Sequence, residues 1–470
     1  MKLTVTMYSP ELTNQVLSLI ERAIRSGVHY IYLKAAEALI ELGFPEKAYI
    51  ILKKALTDTE DVNDKLHALA DLAIALINLG NIEHALKLID SAVVDLETRI
   101  RKNSVIYFST INAIVNAVMN VYKPENAAPI VKKLINHIDD TYVRSKILVS
   151  SVIIPQVHEG RFDETIEDLI SDVKHIFWRV FALIEIAKYF VKNASRKSSA
   201  LLERALKLID RIDSAGDRAR LLANIASVFA SIEKENMADR LLITAVDLAG
   251  RESDIVSRSL ALAQIANILV RLGKRFEARL LFDEAIDASR RIVLEYEGIR
   301  SDYLPEVMNG IKAQIVEMLA KAGEYQRAME LANEIGTTPW DIGDYYWHSI
   351  ALINIARGIV KTSSLNYPRI GFLSIHIPDD IFSRQKGLMK GSLSAFVDME
   401  MKMTLDLSAW SRYMILEREK IEFSHIRSGS IKEFTLVLKL KPDIETKIIL
   451  PIIIRLNGTK LITNPTRITL

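Results

Sequence analysis

The sequence predicts a multidomain chain: a right-handed α-solenoid of about eight helical pairs over residues 1–365, then a small antiparallel β-sandwich over 366–470. Three observations carry this reading. Small residues recur at a fixed spacing. The apolar residues between them fall at steps of three and four. Near residue 365 the apolar period drops to two.

The recurrence comes first. Ala36, Gly43, Ala48 and Ala55 have the same spacing as Ala73, Gly80, Ala85 and Ala92, and as Ala266, Gly273, Ala278 and Ala285. Ala226, Ala238 and Ala245 repeat it with Glu233 in the glycine position. Small residues flanking a glycine describe two closely packed helices and a tight turn, because backbones approach only where side chains are small. Such a pair is apolar at both ends until neighbours stack on it.

Residues 64–96 are the type unit. Leu66, Leu69, Leu72, Ala73, Leu76 and Leu79 form one helix face. Gly80 ends that helix, since glycine enters the left-handed cap without strain. Ile82, Ala85, Leu86, Ile89, Ala92 and Val93 begin a second stripe. Turns are expected near Gly43, Gly80, Lys123, Gly160, Asn193, Glu233, Gly273 and Gly323, with a last single helix after them. Gly43-Phe44-Pro45-Glu46 shows the stop-and-start chemistry: a glycine cap, then proline in the first turn of the next helix.

Ser363, Ser364, Asn366 and Pro368 make the break. Beyond it Val397, Met399, Met401, Met403, Leu405 and Leu407 alternate with polar residues, as Phe434, Leu436, Leu438 and Leu440 do, which is the pattern of half-buried strands. Asn457-Gly458 between two apolar runs signals a hairpin.

Composition narrows the function classes. The chain of 470 residues has 49% hydrophobic residues, enough for a large core, and a formal charge of only +2. That balance gives no broad electrostatic reason to expect nucleic acid or an anionic membrane. There is no cysteine, which excludes disulfides, thiolate catalysis and Cys-ligated zinc. Few Cys and Gln beside many Ile, Lys, Arg and Glu fit a thermophile. Neither a secretory signal nor a membrane span is legible, so a cytoplasmic location is expected.

At the repeat positions the chain resembles the tetratricopeptide repeat family. Ala266, Ala278, Phe282 and Ala285 fit that family's pattern of small and large residues, and so do Ala73, Ala85, Ile89 and Ala92. Four repeats match, roughly a third of the chain. Residues 100–215 match poorly, Thr165 stands where an alanine is expected, and the family's tryptophan is absent. The β-sandwich resembles no named family. The resemblance implies partner binding along a concave face lined by the first helix of each pair. Residues there include Tyr30, Glu37, Glu41, His67, Asn78, Arg220, Asn224, Asn267 and Arg271. Against that stands the reading of an ordinary solvated face.

No catalytic, nucleotide or metal motif is visible. None of the nine histidines pairs at a metal-ligand spacing, and neither a phosphate loop nor a nucleophile elbow appears. Neither a cofactor nor a metal is therefore expected. Lys274, Arg275 and Arg279, with Arg218, Arg220, Arg290 and Arg291, are basic, but acids interleave the first group, as on a salt-bridged face. Trp340, Tyr345, Tyr346 and Trp347 are expected to seal the helical array against the sandwich. The sequence thus predicts a non-enzymatic scaffold for a protein or peptide partner. The alternatives are a nucleic-acid-binding helical repeat and a ligand-binding protein or enzyme with a pocket at the solenoid–sandwich junction.

Overall fold

A computed structural model describes residues 2–25, 29–79, 81–101, 108–122, 124–136, 138–158, 164–295, 304–335, 342–366, 369–378, 381, 386–396, 402–441, 449–464 and 467–469. The chain forms helices followed by antiparallel strands in sheets, in two compact units. One comprises Met1–Ala128 with Ile359–Leu470; the other is Pro129–Gly358. Among the described residues no helix is long and apolar enough to cross a membrane.

The first unit opens with β1 (Lys2–Tyr8) and α1 (Pro10–Ile24). Two helical pairs follow: α2 (His29–Glu41) with α3 (Pro45–Asp58), and α4 (Val62–Asn78) with α5 (Ile82–Arg101). Then comes α6 (Phe108–Val121), and α7 (Pro124–Asn136) contains the boundary between the units.

The second unit continues with α8 (Thr141–Ile147), a π-helical segment at Leu148–Ile153, α9 (Ile154–His158) and α10 (Glu164–Asp172). Regular pairs resume as α11 (Ile176–Phe190) with α12 (Ser195–Ile209), α13 (Ala215–Ser231) with α14 (Glu235–Arg251), and α15 (Ile255–Arg271) with α16 (Arg275–Glu295). The last pair is α17 (Leu304–Lys321) with α18 (Tyr325–Glu334), and α19 (Ile342–Asn366) follows singly and contains the other boundary between the units. Within each unit, first helices stack on first helices: α2 on α4 and α4 on α6, then α11 on α13, α13 on α15 and α15 on α17. The repeat alanines of the second helices α3, α5 and α16 are buried in helices that pack against α2, α4 and α15; Ala48, Ala85 and Ala285 are fully buried and Ala278 is 1% exposed. Ala278→Leu therefore overpacks the α15–α16 pair and is expected to cost about 1–3 kcal/mol, read as a lower urea midpoint.

The turns obey one geometry. Gly43, Gly273 and Gly323 have φ of 82°, 79° and 83°. The next residue closes each helix with an N–H donated five residues back: Phe44 to Leu39, Lys274 to Leu269 and Glu324 to Leu319. Glu233 holds the same place with φ 62°, and Lys234 donates to Phe229 at 3.0 Å. Its Cβ is strained there, and the side chain is exposed. Glu233→Gly is expected to stabilise the chain by about 1 kcal/mol in urea unfolding. The turns expected at Gly80, Lys123 and Gly160 fall outside the described residues.

The irregular stretch has a local cause. Pro155 lacks the N–H that an α-helix needs, and the backbone before it widens; Ile154 N–H donates to Val149 O. Over Leu148–Ile153 the helix is therefore not built on a 3.6-residue turn.

Strands β2 (Arg369–His376), β3 (Lys386–Ala395), β4 (Met403–Asp406), β5 (Met414–Leu416), β6 (Lys420–Phe423) and β7 (Ile431–Leu440) follow α19. The chain ends with β8 (Ile449–Pro451), β9 (Ile453–Leu456), β10 (Thr459–Lys460), β11 (Thr463–Asn464) and β12 (Arg467–Thr469). One sheet has the order β11-β1-β2-β3-β7-β5 and a second β10-β9-β4-β6; β8 pairs with β12. Leu373, Leu393 and Leu436 of the first sheet share one buried core with Leu405, Ile421 and Ile454 of the second, so the two sheets pack face to face. The alternation read over 397–407 appears as β4; residues 397–401 lie outside the described residues.

β1 falls inside the span read as solenoid, yet it pairs antiparallel with β2, Val5 opposite Leu373, and with β11, Thr6 opposite Asn464. The sandwich thus takes a strand from residues 2–8 and packs against the first helices. Lys460, beyond the Asn457-Gly458 hairpin, reaches Glu46 at 3.2 Å and lies over the Phe44 ring. Thr13 on α1 accepts the Ile462 N–H, and Arg412 donates to Asn81.

Candidate functional site

The three first helices of the first unit, α2, α4 and α6, each turn a polar stripe toward one cavity of about 640 Å³. Helical spacing aligns the stripes. Tyr30, Lys34, Glu37 and Glu41 lie on one face of α2; His67, Asp71 and Ile74 on one face of α4; Ser109, Asn112, Asn116 and Asn120 on one face of α6. Flanking positions on these helices carry the core, with Leu33, Leu66 and Val115 fully or almost fully buried. Asp61 caps α4, its carboxylate accepting from the Asn63 and Asp64 N–H groups, and so fixes where the helix starts.

The floor of the cavity is charged. His67 Nε2 lies 3.2 Å from Glu37 Oε1 and 3.4 Å from Asp71 Oδ2, and Lys34 Nζ lies 2.6 Å from the same Glu37 oxygen. His67 is 2% exposed and Asp71 3%. His67 Nε2 faces two carboxyl groups, and its hydrogen bond is with Glu37. Asp71 Oδ2 is left buried without a hydrogen-bond partner. The carboxyls are driven apart. Burial pushes Glu37 up, but the hydrogen bond and charge of His67 with the Lys34 ammonium outweigh it and hold the group at about 2. For Asp71 burial wins, and with the Glu37 charge it pushes the group up to about 7 against the attraction of His67 and Lys34. The Tyr30 ring stands edge-on to the imidazole at 6.1 Å.

The expected groove residues divide between the two units. Tyr30, Glu37, Glu41 and His67 come together in this cavity. Asn78, at the end of α4, is buried and donates to the Ile74 carbonyl at 2.8 Å. Arg220 and Asn224 on α13, and Asn267 and Arg271 on α15, belong to the second unit. There Arg220 braces the two helices: its Nε donates to Gln264 at 2.9 Å, it pairs with Asp217, and it stacks on Phe177. Asn224 donates back to the Arg220 carbonyl. Asn267 Oδ1 is buried without a partner.

Sequence reasoning missed Lys34, Asp71 and the whole α6 stripe. Asn112, Asn116 and Asn120 at four-residue steps were the available signal, for asparagine is a poor helix former and three in a 14-residue helix is a local cost. His67 and Asp71 sit four apart, which puts both on one face, but Glu37 joins them only through the packing of α2 on α4. The search for paired histidines overlooks such a mixed set, whose donor atoms lie within 4.8 Å of one another.

Of the basic clusters, Lys274 pairs with Asp239 at 2.5 Å, Arg290 with Glu334 at 2.5 Å and Arg220 with Asp217 at 3.1 Å. Of the aromatic group, Trp347 packs its ring on Gly310 of α17 and edge-on to Tyr346. Trp340 and the Tyr345 side chain lie outside the described residues.

No protein-family model matches the chain, and no curated protein does. Among solved structures it is similar to a Rap protein complexed with competence and sporulation factor, at 13% identity and a TM-score of 0.27, over 66% of this chain and 96% of that one. A likeness of that size carries no weight for function, and the helical-repeat class rests on this chain's own stacked pairs.

Proposed function

We propose that the chain is a non-enzymatic interaction scaffold that holds an extended peptide segment of a partner protein across α2, α4 and α6. The observation that carries this is the α6 asparagine stripe facing the polar stripes of α2 and α4. A side-chain amide carries both donors and an acceptor, which matches the paired N–H and C=O of an extended backbone, although Asn120 donates one N–H to the Asn116 carbonyl at 2.7 Å. First helices packed about 8–10 Å apart give a groove about 20 Å across, room for about six extended residues at ~3.3 Å each. Tyr30 supplies an amphipathic wall.

The test is selection of a displayed random-peptide library on the immobilised full chain, followed by affinity measurement. Asn116→Ala, half-buried on the cavity face of α6, is expected to weaken the selected peptides about five- to tenfold, the worth of one or two hydrogen bonds. Peptides that bind wild type and variant equally would place recognition elsewhere.

A further inference from the structure

We infer that Glu37, His67 and Asp71 form a binding site for a divalent transition cation of the zinc class. The donor set is one imidazole nitrogen and two carboxylates, chemistry that such cations accept. Two of the three separations fit tetrahedral spacing, and all three donor atoms lie within 4.8 Å of one another. Two ligand atoms about 2.0–2.1 Å from a tetrahedral zinc lie ~3.3 Å apart; His67 Nε2 stands 3.2 Å from Glu37 Oε1 and 3.4 Å from Asp71 Oδ2. A second observation is independent of that spacing. Asp71 Oδ2, on a residue only 3% exposed, faces the cluster with no hydrogen-bond partner. A buried carboxylate oxygen whose His67 neighbour stands 3.4 Å away without a hydrogen bond is poorly satisfied, and a cation held between the two satisfies it better.

The remaining coordination positions open toward the cavity lined by Asn112 and Asn116. Water or a donor from a bound segment completes the shell there, as at zinc sites that keep an open position. Lys34 Nζ holds the same Oε1 at 2.6 Å, so cation binding displaces the ammonium from that oxygen. The site is independent of the peptide reading, because metal binding is measured with no peptide present.

The experiment titrates Zn²⁺ into the chelator-treated full chain by calorimetry at pH 7, with Co²⁺ as a spectroscopic probe. Wild type is expected to take up one equivalent. Asp71→Asn, which keeps the shape of the side chain, and Glu37→Gln are each expected to weaken it at least tenfold, and His67→Ala on the order of 100-fold. His84→Ala, exposed on α5, keeps wild-type binding. Circular dichroism verifies that each variant folds, and the d–d bands of bound Co²⁺ report an N/O ligand set in wild type without any variant. No stoichiometric uptake, or uptake unchanged in Asp71→Asn and Glu37→Gln, overturns the site and leaves the three groups as a hydrogen-bonded cluster.

Discussion

Gly358→Ala is expected to cost about 3 kcal/mol, although alanine is the better helix former by about 1 kcal/mol. Gly358 lies on α19 where it meets α17. A Cβ built there stands 2.4 Å from the Ala320 Cβ and 2.7 Å from the Ala320 carbonyl carbon. The second contact is with backbone, which no rotamer change relieves, so one helix has to move. At the other end of the contact Gly310 on α17 receives the Trp347 ring, 3.0 Å from where its own Cβ would be. Movement of either helix therefore disturbs that tryptophan, and its fluorescence reports the change directly. A Gly358→Ala protein with wild-type melting and emission would mean that α17 and α19 do not approach this closely.

Asp71→Asn is expected to stabilise the chelator-treated protein at pH 8 by roughly 1–3 kcal/mol and to have little effect at pH 4. The sign follows from the direction of the shift. Burial raises the folded-state pKa of Asp71 from 3.8 to about 7. The folded chain thus keeps its proton after the unfolded chain has released one. Stability falls as pH rises from about 4 to about 7 and is constant above. Glu37 acts oppositely: its pKa is held down at about 2, so its contribution is complete above 4.5 and is lost as pH falls below that. Between pH 4.5 and 7 Asp71 alone of the two sets the slope. Asparagine has no proton to lose there, and its amide can accept from His67 and donate to Glu37. Urea unfolding at pH 4, 5.5 and 8 of both proteins measures the difference; a constant gap across the three would remove the buried acid from the account.

Much of this architecture was legible because it rests on local rules. Glycine at a left-handed cap, alanine where backbones approach and the switch from a period of 3.6 to 2 each leave a mark within a dozen residues, and the stacked pairs and packed sheets followed from them. Even Glu233, which breaks the glycine rule, was placed correctly by the alanines around it. What escaped depends on distance along the chain. β1 alternates Leu3, Val5 and Met7, but its partners lie beyond residue 368, and seven residues do not announce a pairing of that range. The charged floor of the groove required α2 to pack on α4 before Glu37 could meet His67 and Asp71. The α6 stripe was missed for a different reason: that helix lies in the stretch where the small-residue pattern fades, so its asparagines had no repeat to be read against.

The role of the groove is tested most directly by photo-crosslinking in extract of the native source. A photoreactive residue is placed at position 116 on α6 and, in a separate protein, at position 94 on the exposed side of α5, where Val94 is 62% exposed. Covalent capture of one discrete partner protein from position 116, with none from position 94, is the expected result. Capture of that partner only from position 94, or from neither position, would contradict binding across the first helices.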